Sequence, residues 1–252
     1  MSVSDISGAA TPPTVLTLLG RFTLHVSLQD IYVPPTAQRL LTYLALHTQG
    51  VPREDAACLL WPDLPRVRAA ASLRSVLWRI SRRSDQQALV DLRPTRLSIS
   101  SHVQVDLHTA TRYAASLAND PQDDVPGTDI PGLLCEDLLP AWCDDWLTDA
   151  REHFHQTRLY ALEAVSRHHR RQGRMCTALM YAMTAVAAEP LRESAHREVT
   201  AVHLAEGNTA EALRHFELYR GRLRNELGLS PSTGFRRMLA PYLGRPLDAH
   251  AS

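Results

Sequence analysis

The chain has 252 residues, of which 44% are apolar and 21% charged, and this is enough for one large or two ordinary globular domains. No apolar run reaches the roughly 18 residues that a membrane helix needs, which excludes a spanning segment. The first dozen residues lack the basic and apolar parts of a secretory signal. The four cysteines form no CxxC pair, which argues against a zinc ribbon or a disulfide framework and favours a reducing cytoplasm.

Charge is unevenly distributed along the chain. The 27 basic residues are all Arg and are balanced by 27 acidic residues. Residues 66–96 hold eight Arg and two acidic residues, whereas residues 119–149 hold nine acidic residues and no Arg. A basic block in one half and an acidic block in the other predict two domains with different partners.

The first hundred residues have the pattern of a small α+β domain. Residues 1–13 predict a disordered tail. Two short strands are expected within residues 15–26, separated at Gly20, and a third at residues 31–33. Thr36 is predicted to be the N-cap of a helix that runs to Gly50, and a second short helix follows Pro52.

The third predicted helix, residues 66–83, is amphipathic. Ala69, Leu73, Val76, Leu77 and Ile80 share one side at 100° per residue, and the other side is basic. Residues 88–92 and 97–100 predict a hairpin whose tip, residues 93–96, is basic as well. Strands, three helices and a basic-tipped hairpin in this order indicate a winged helix-turn-helix. The alternative is that the Arg residues merely solvate a core helix, with Trp78 packed under the wing.

From Asp106 onward the apolar period is helical. An exposed loop is expected at residues 119–133, and long helices at residues 144–172, 174–188, 191–206, 208–227 and 232–243. Gly173 and Gly207 lie 34 residues apart, which is the tetratricopeptide period, in which Gly is taken to open a helix. The predicted fold class is therefore mainly α: an α+β winged helix followed by an all-α tetratricopeptide-like repeat domain.

The sequence lacks the short motifs of phosphate-binding loops, nucleophile elbows and zinc proteases. No two His are spaced i and i+4, the arrangement that places two imidazoles on one helical face. We therefore expect no catalytic residues, no cofactor and no metal ion. An apolar ligand site among the helical repeats leaves no short motif, so that alternative stays open.

Several segments together resemble the Streptomyces antibiotic regulatory protein family, which joins an OmpR-type winged helix to a bacterial transcriptional activation domain. The N-terminal segments are LTLLGRF at 16–22, PTAQR at 35–39 and ASLRSVLWRI at 71–80. The C-terminal segments are EDLLPAWCDDW at 136–146, PLRESAHR at 190–197, HLAEGNTAEAL at 203–213 and ELGLSPS at 226–232. Ala141 and Cys143 depart from the family pattern, which usually has Gly and Tyr there.

The resemblance implies a winged helix at residues 14–104, an activation domain at residues 105–245 and a tail at residues 246–252, as in a small stand-alone member. It implies a cytoplasmic, nucleoid-associated activator of an antibiotic gene cluster. Such a protein binds direct repeats near the promoter −35 element, with a second protomer beside it, and recruits RNA polymerase holoenzyme. No membrane partner is expected. The alternative is a tetratricopeptide-like interaction regulator whose winged helix does not bind DNA.

Within this framework the site residues fall into two groups. The expected DNA contacts lie on the third helix, at the start of the first helix and at the wing: Arg68, Arg74, Ser75, Trp78, Arg79, Arg82 and Arg83; Thr36, Gln38 and Arg39; Arg93 and Arg96. Among them, Arg74, Ser75, Trp78 and Arg79 are expected in the groove. The expected polymerase contacts lie in the loop before the third helix: Trp61, Asp63, Leu64 and Arg66.

Trp142 and Trp146 lie four residues apart, so that one helical face can hold both. We expect them to dock the first helix of the activation domain against its own repeats. The alternative is an exposed hot spot for a partner.

Overall fold

The computed structural model describes residues 13–27, 29–83, 88–119 and 130–243. Apart from Pro13, the predicted tails at 1–13 and 246–252 lie outside these ranges. Contacts divide the chain into two compact units. The first consists of the residues up to Thr109 together with Glu136–Arg151, and the second of Ala110–Cys135 and the residues from Glu152 onward. The units thus alternate along the sequence, whereas the predicted domains, residues 14–104 and 105–245, are contiguous.

The first unit begins with a four-stranded sheet of order β3-β2-β1-β7. β1 (Thr14–Thr17) and β2 (Thr23–Val26) are the two predicted strands. The prediction of a third strand at 31–33 is wrong, because β3 is Gln29–Asp30 and pairs with the end of β2. Ile31 N still donates to the Leu24 carbonyl oxygen at 2.8 Å, and Val33 is buried in the core. β7 (Val103–Val105), which pairs in parallel with β1, was not predicted.

A second sheet and three helices complete the winged helix. The helices are α1 (Pro35–Leu46), α2 (Arg53–Leu60) and α3 (Arg66–Arg83). The strands are β4 (Val51–Pro52), β5 (Val90–Leu92) and β6 (Arg96–Ile99), in the order β4-β6-β5. The α3 span and the β5–β6 hairpin are as predicted, whereas β4 was missed because it has only two residues.

The ends of α1 differ from the prediction. Thr36 is not the N-cap, because Pro35 already occupies the first helical turn and Pro34 precedes it; proline suits this position since its missing N–H would be unpaired there anyway. The helix ends at Leu46, short of Gly50. Gly50 has φ +75°, and a Cβ there would lie 2.9 Å from the carbonyl oxygen of Leu97, so the turn into β4 requires glycine.

Asp106 ties the start of α4 (Asp106–Asn119) to the end of β1. Its carboxylate accepts backbone N–H bonds from Leu18, Leu19 and Leu107 at 2.9, 3.0 and 2.7 Å. We expect Asp106→Ala to lower the free energy of unfolding by about 2–3 kcal/mol, because it leaves these donors without their acceptor. Urea denaturation measures the loss. Asp63→Ala, in an exposed loop, is the control, and an Asp106→Ala loss as small as that of the control would contradict the assignment.

The second unit consists mainly of helices. Its elements are the remainder of α4, α5 (Ile130–Leu133), α6 (Thr148–Arg171), α7 (Met175–Ala188), α8 (Glu193–Ala205), α9 (Thr209–Leu227) and α10 (Thr233–Leu243). The five long predicted helices are confirmed within a few residues, apart from 144–147, where a 3-10 helix (Asp145–Leu147) precedes α6. Of the predicted loop at 119–133, residues 120–129 lie outside the described ranges, and α5 occupies its end.

Gly173 and Gly207 have equivalent places in successive helix pairs. Their φ angles are +76° and +78°, and they follow the ends of α6 and α8. The expectation that they open helices is wrong: they terminate them, since glycine enters the left-handed region at no steric cost. Among the described helices, none is both long and apolar enough to cross a membrane.

Buried His196 and half-buried His215 form a hydrogen-bonded pair between α8 and α9. His196 Nδ1 lies 3.0 Å from His215 Nε2, and His196 Nε2 lies 3.0 Å from the Pro190 carbonyl oxygen. A carbonyl only accepts, so His196 Nε2 donates to Pro190 and His196 Nδ1 accepts from His215. Burial lowers the pKa of both imidazoles, that of His215 to about 4.

This pair predicts acid-sensitive folding. Because both pKa values lie below the ordinary 6.5, the unfolded chain binds more protons and stability falls as the pH drops below that value. We expect His215→Gln to reduce the loss of unfolding free energy between pH 7 and pH 5 by about 1–2 kcal/mol. Urea denaturation at both pH values measures it, with the exposed His153→Gln as control. If His215→Gln leaves the change of unfolding free energy between pH 7 and pH 5 as it is in the wild type, the prediction is contradicted.

Candidate nucleic-acid interface

The third helix of the winged helix has one buried and one exposed face. Ala69, Leu73, Val76, Leu77 and Ile80 are all buried, and α3 packs mainly on α2 and α1. These are the residues that the sequence placed on the apolar side. The burial of this face fixes the rotation of α3 and thereby determines which side chains face outward.

The outward face of α3 is basic and carries most of the predicted DNA contacts. Arg68, Arg74, Ser75 and Arg79 are exposed, and α3 contains six Arg and no acidic residue. The indole of Trp78 is 58% exposed, so it is not buried beneath the wing. The side chains of Arg82 and Arg83 lie outside the described part of the chain.

Two further residues share this face and were not among the predicted contacts. Val67 is 82% exposed, and Ala71 is exposed as well. They precede Arg74, Ser75 and Trp78 at helical spacing, a signal that the sequence already contained.

Both predicted Arg residues of the wing are exposed, and Arg96 also holds the base of the wing. The turn between β5 and β6 closes with a 3.0 Å bond from Arg93 N to the Arg96 carbonyl oxygen. Arg96 Nη2 donates to the carbonyl oxygens of Gly50 and Gln49, at 2.5 and 3.3 Å. The Arg93 side chain is exposed. The backbone carbonyl oxygen of Arg93, not its side chain, accepts a 3.2 Å hydrogen bond from Arg53 Nε. Arg93 is thus the more available cation of the two.

The predicted contacts at the start of α1 are engaged within the first unit. Gln38 Nε2 donates to the Val33 carbonyl oxygen at 2.8 Å, and Arg39 Nη2 pairs with Asp144 Oδ1 at 2.7 Å. Thr36 lines a small apolar cavity of about 50 Å³ that Arg79 also borders. The backbone N–H of Gln38 donates to the Pro34 carbonyl oxygen, which reduces the donors available to a phosphate. Gln38 and Arg39 thus have internal partners.

The loop between α2 and α3 is short and exposed. Trp61 follows the last residue of α2 and is half-buried, whereas Asp63, Leu64 and Arg66 are exposed. Leu64 N donates to the Trp61 carbonyl oxygen at 3.2 Å, so that the loop is a compact turn. Arg66 Nη1 lies 4.0 Å from Glu54 Oε2 on α2.

Trp142 and Trp146 pack against the winged helix, so the expectation that they dock against the helical repeats is wrong. Trp142 stacks on Phe22 with ring centroids 6.2 Å apart, and Trp146 meets Tyr43 edge to face at 5.6 Å. Trp142 lies in an irregular segment and Trp146 in the 3-10 helix, so that a single helical face does not carry both. The segment is anchored by the Arg151 guanidinium, which donates to the carbonyl oxygens of Leu138, Leu139 and Trp142.

The described residues contain no group of three or more His, Cys, Asp or Glu side chains placed to hold a metal ion. Cys58, Cys135, Cys143 and Cys176 are exposed and form no disulfide bond. The features that the structure does bring together on α3 and the wing are cationic and apolar.

Comparison with known proteins agrees with this architecture. Residues 132–240 match the bacterial transcriptional activator domain family. The fold is similar to that of Mycobacterium tuberculosis EmbR, solved in complex with a low-affinity phosphopeptide, with a TM-score of 0.66 and 17% sequence identity over 94% of this chain and 67% of that one. No curated protein matches the sequence. The family match lies in the helical part of the chain, where the resemblance to the Streptomyces antibiotic regulatory proteins predicted a bacterial transcriptional activation domain.

Proposed function

We propose that this regulator binds double-stranded DNA sequence-specifically, with α3 in the major groove and the β5–β6 wing on the backbone. The single observation that carries the proposal is the exposed face of α3, which presents Arg68, Arg74 and Arg79 and includes no acidic residue. An Arg guanidinium pairs with phosphate or forms two hydrogen bonds with guanine. Arg93 extends this cationic surface at the wing, and no cofactor is required.

The proposal extends to how the protein activates transcription. Two protomers lie side by side on direct repeats near the promoter −35 element, a head-to-tail arrangement without two-fold symmetry. The loop that contains Trp61, Asp63, Leu64 and Arg66 contacts RNA polymerase holoenzyme. The controlled genes belong to an antibiotic cluster, and the protein acts in the cytoplasm on nucleoid DNA. Residues 14–104 serve DNA binding, and residues 105–245 serve activation.

A nuclease-protection experiment tests the binding mode. Purified protein is titrated on DNA fragments from upstream of the neighbouring genes, with a fragment internal to a gene as control. We expect protected segments that recur at a constant spacing and in the same orientation. A single inverted pair of half-sites would contradict the head-to-tail arrangement, and protection of no fragment would favour the interaction regulator that does not bind DNA.

The polymerase contact is tested separately from DNA binding. We expect Asp63→Ala and Leu64→Ala to reduce run-off transcription at least several-fold while the dissociation constant for promoter DNA changes by less than about twofold, because exposed loop substitutions leave the fold intact. Asp145→Ala, in the 3-10 helix, is the matched exposed control. Loop variants that activate as well as the wild type would exclude this loop as the polymerase contact.

A further inference from the structure

The centre of the exposed face of α3 is apolar. Val67 is 82% exposed, although a valine on a structural helix surface gains nothing from contact with water. At 100° per residue, Val67 and Trp78 fall within about 40° of Ala71 on the helical wheel. Arg74 lies beyond them on one side, and Arg68 and Arg79 lie on the other. An apolar strip bordered by guanidinium groups thus runs along the middle of this face.

The chemistry of the major groove indicates which group of the DNA can pack against such an apolar strip. Base edges there offer hydrogen-bond donors and acceptors, which suit the flanking Arg residues, and one apolar group, the C5-methyl of thymine. Recognition helices contact bases with their N-terminal residues, and Val67 is the second residue of α3.

We propose that Val67, supported by Ala71, contacts the methyl group of a thymine at the centre of each recognised repeat, and so selects an A·T pair between the base pairs that the Arg residues contact. This inference rests on the proposed function, since it assumes that α3 enters the groove. Contact with polymerase is the competing use of Val67. Contact of Val67 with DNA is favoured because Val67 shares the face of Arg74 and Ser75, whereas Arg66 points to Glu54 on α2.

The test removes single methyl groups from the DNA. A binding site is first selected from random double-stranded DNA with the purified full chain. Each thymine of that site is then replaced in turn by deoxyuridine, which lacks only the methyl group. Dissociation constants are measured for the wild type, Val67→Ala and Leu218→Ala. Leu218 is a matched control because it is an exposed apolar residue, at 67%, on α9 of the second unit.

We expect deoxyuridine at one thymine to weaken wild-type and Leu218→Ala binding about fourfold, which is what the burial of one methyl group contributes. Val67→Ala should be insensitive to that replacement, because its partner contact is already gone. The Val67→Ala variant should fold, since alanine has a higher helix propensity than valine at an exposed position.

Four results would overturn the inference. A selected site without thymine, or a thymine response that Val67→Ala retains at every position, would show that Val67 does not contact a methyl group. Retention of that response together with loss of run-off transcription would assign Val67 to the polymerase instead. Binding to no DNA by the folded protein at low salt would overturn the proposed function itself, and the inference with it.

Discussion

Glu163→Ala is expected to lower the free energy of unfolding by about 3–5 kcal/mol, the cost of removing one partner of a buried ion pair. Only 5% of the Glu163 side chain and 15% of the Arg192 side chain are exposed. Glu163 Oε1 accepts hydrogen bonds from Arg192 Nε and Ser194 Oγ, both at 2.6 Å, and the Arg192 guanidinium lies over the ring of Tyr160. The substitution leaves a guanidinium and a hydroxyl without their acceptor.

The pair joins α6 to the turn between α7 and α8, and urea denaturation at neutral pH measures its contribution. Glu211→Ala is the matched control because Glu211 pairs with Arg214 on the surface of α9, where an ion pair contributes less than about 1 kcal/mol. The fall in stability should be smaller in Glu163→Gln than in Glu163→Ala, since the amide oxygen still accepts from Ser194. Equal stabilities of Glu163→Ala and Glu211→Ala would contradict this account.

Arg79→Ala is expected to weaken binding to the selected DNA site about tenfold to a hundredfold, the range for loss of a bidentate contact to guanine. The same change should relax the preference at one base pair, because the wrong base no longer leaves a guanidinium unpaired. If Arg79 instead pairs with a phosphate, binding should weaken equally on all sequences. The slope of the logarithm of the binding constant against the logarithm of salt concentration should then become shallower by about one. Arg79 is exposed, so its removal leaves the core of the winged helix intact.

Two further variants serve as comparisons for the effect of Arg79→Ala on DNA binding. Arg93→Ala, at the exposed tip of the wing, should weaken all sequences alike, since backbone contacts carry no sequence information. Arg214→Ala, on α9 of the second unit, should leave DNA binding unchanged. Unchanged affinity and specificity of Arg79→Ala would show that α3 is not the recognition helix.

Elements in which apolar residues recur at a regular spacing could be predicted from the sequence. The bounds of α3 could be predicted because five apolar residues recur at helical spacing and become the buried face. The hairpin of the wing followed from two short apolar runs around a turn. β4 and β7 could not be predicted, because strands of two and three residues depend on partners far along the chain and carry almost no local signal.

The candidate site was predictable only in part, for a similar reason. Periodicity identifies the side of α3 that faces outward, so Arg68, Arg74 and Arg79 were found. It gives no information on long-range partners, so neither the Arg39–Asp144 pair nor the bonds from Arg96 to Gly50 and Gln49 could be anticipated. A basic residue near a helix start is equally compatible with a phosphate contact and with an internal ion pair.

The acidic segment of the family resemblance, residues 136–146, packs with the winged helix. Residues 136–146 belong to the compact first unit, where Gly20 N donates to the Asp137 carbonyl oxygen at 2.7 Å and Leu19 forms a bridge with Leu138. Read along the sequence, the segment belongs to the family match at 132–240. Its packing places it with the winged helix, and its tryptophans serve that contact.

Sequence-specific binding of DNA by the exposed Arg face of α3 is best tested by a salt-titrated competition experiment. Purified protein is mixed with labelled upstream DNA and increasing salt, with unlabelled specific or unrelated competitor. We expect the logarithm of the binding constant to fall linearly with the logarithm of salt concentration. Unrelated competitor should displace the label at least about a thousandfold less well than specific competitor. Equal displacement by every competitor, or no binding by the folded protein at low salt, would contradict sequence-specific binding.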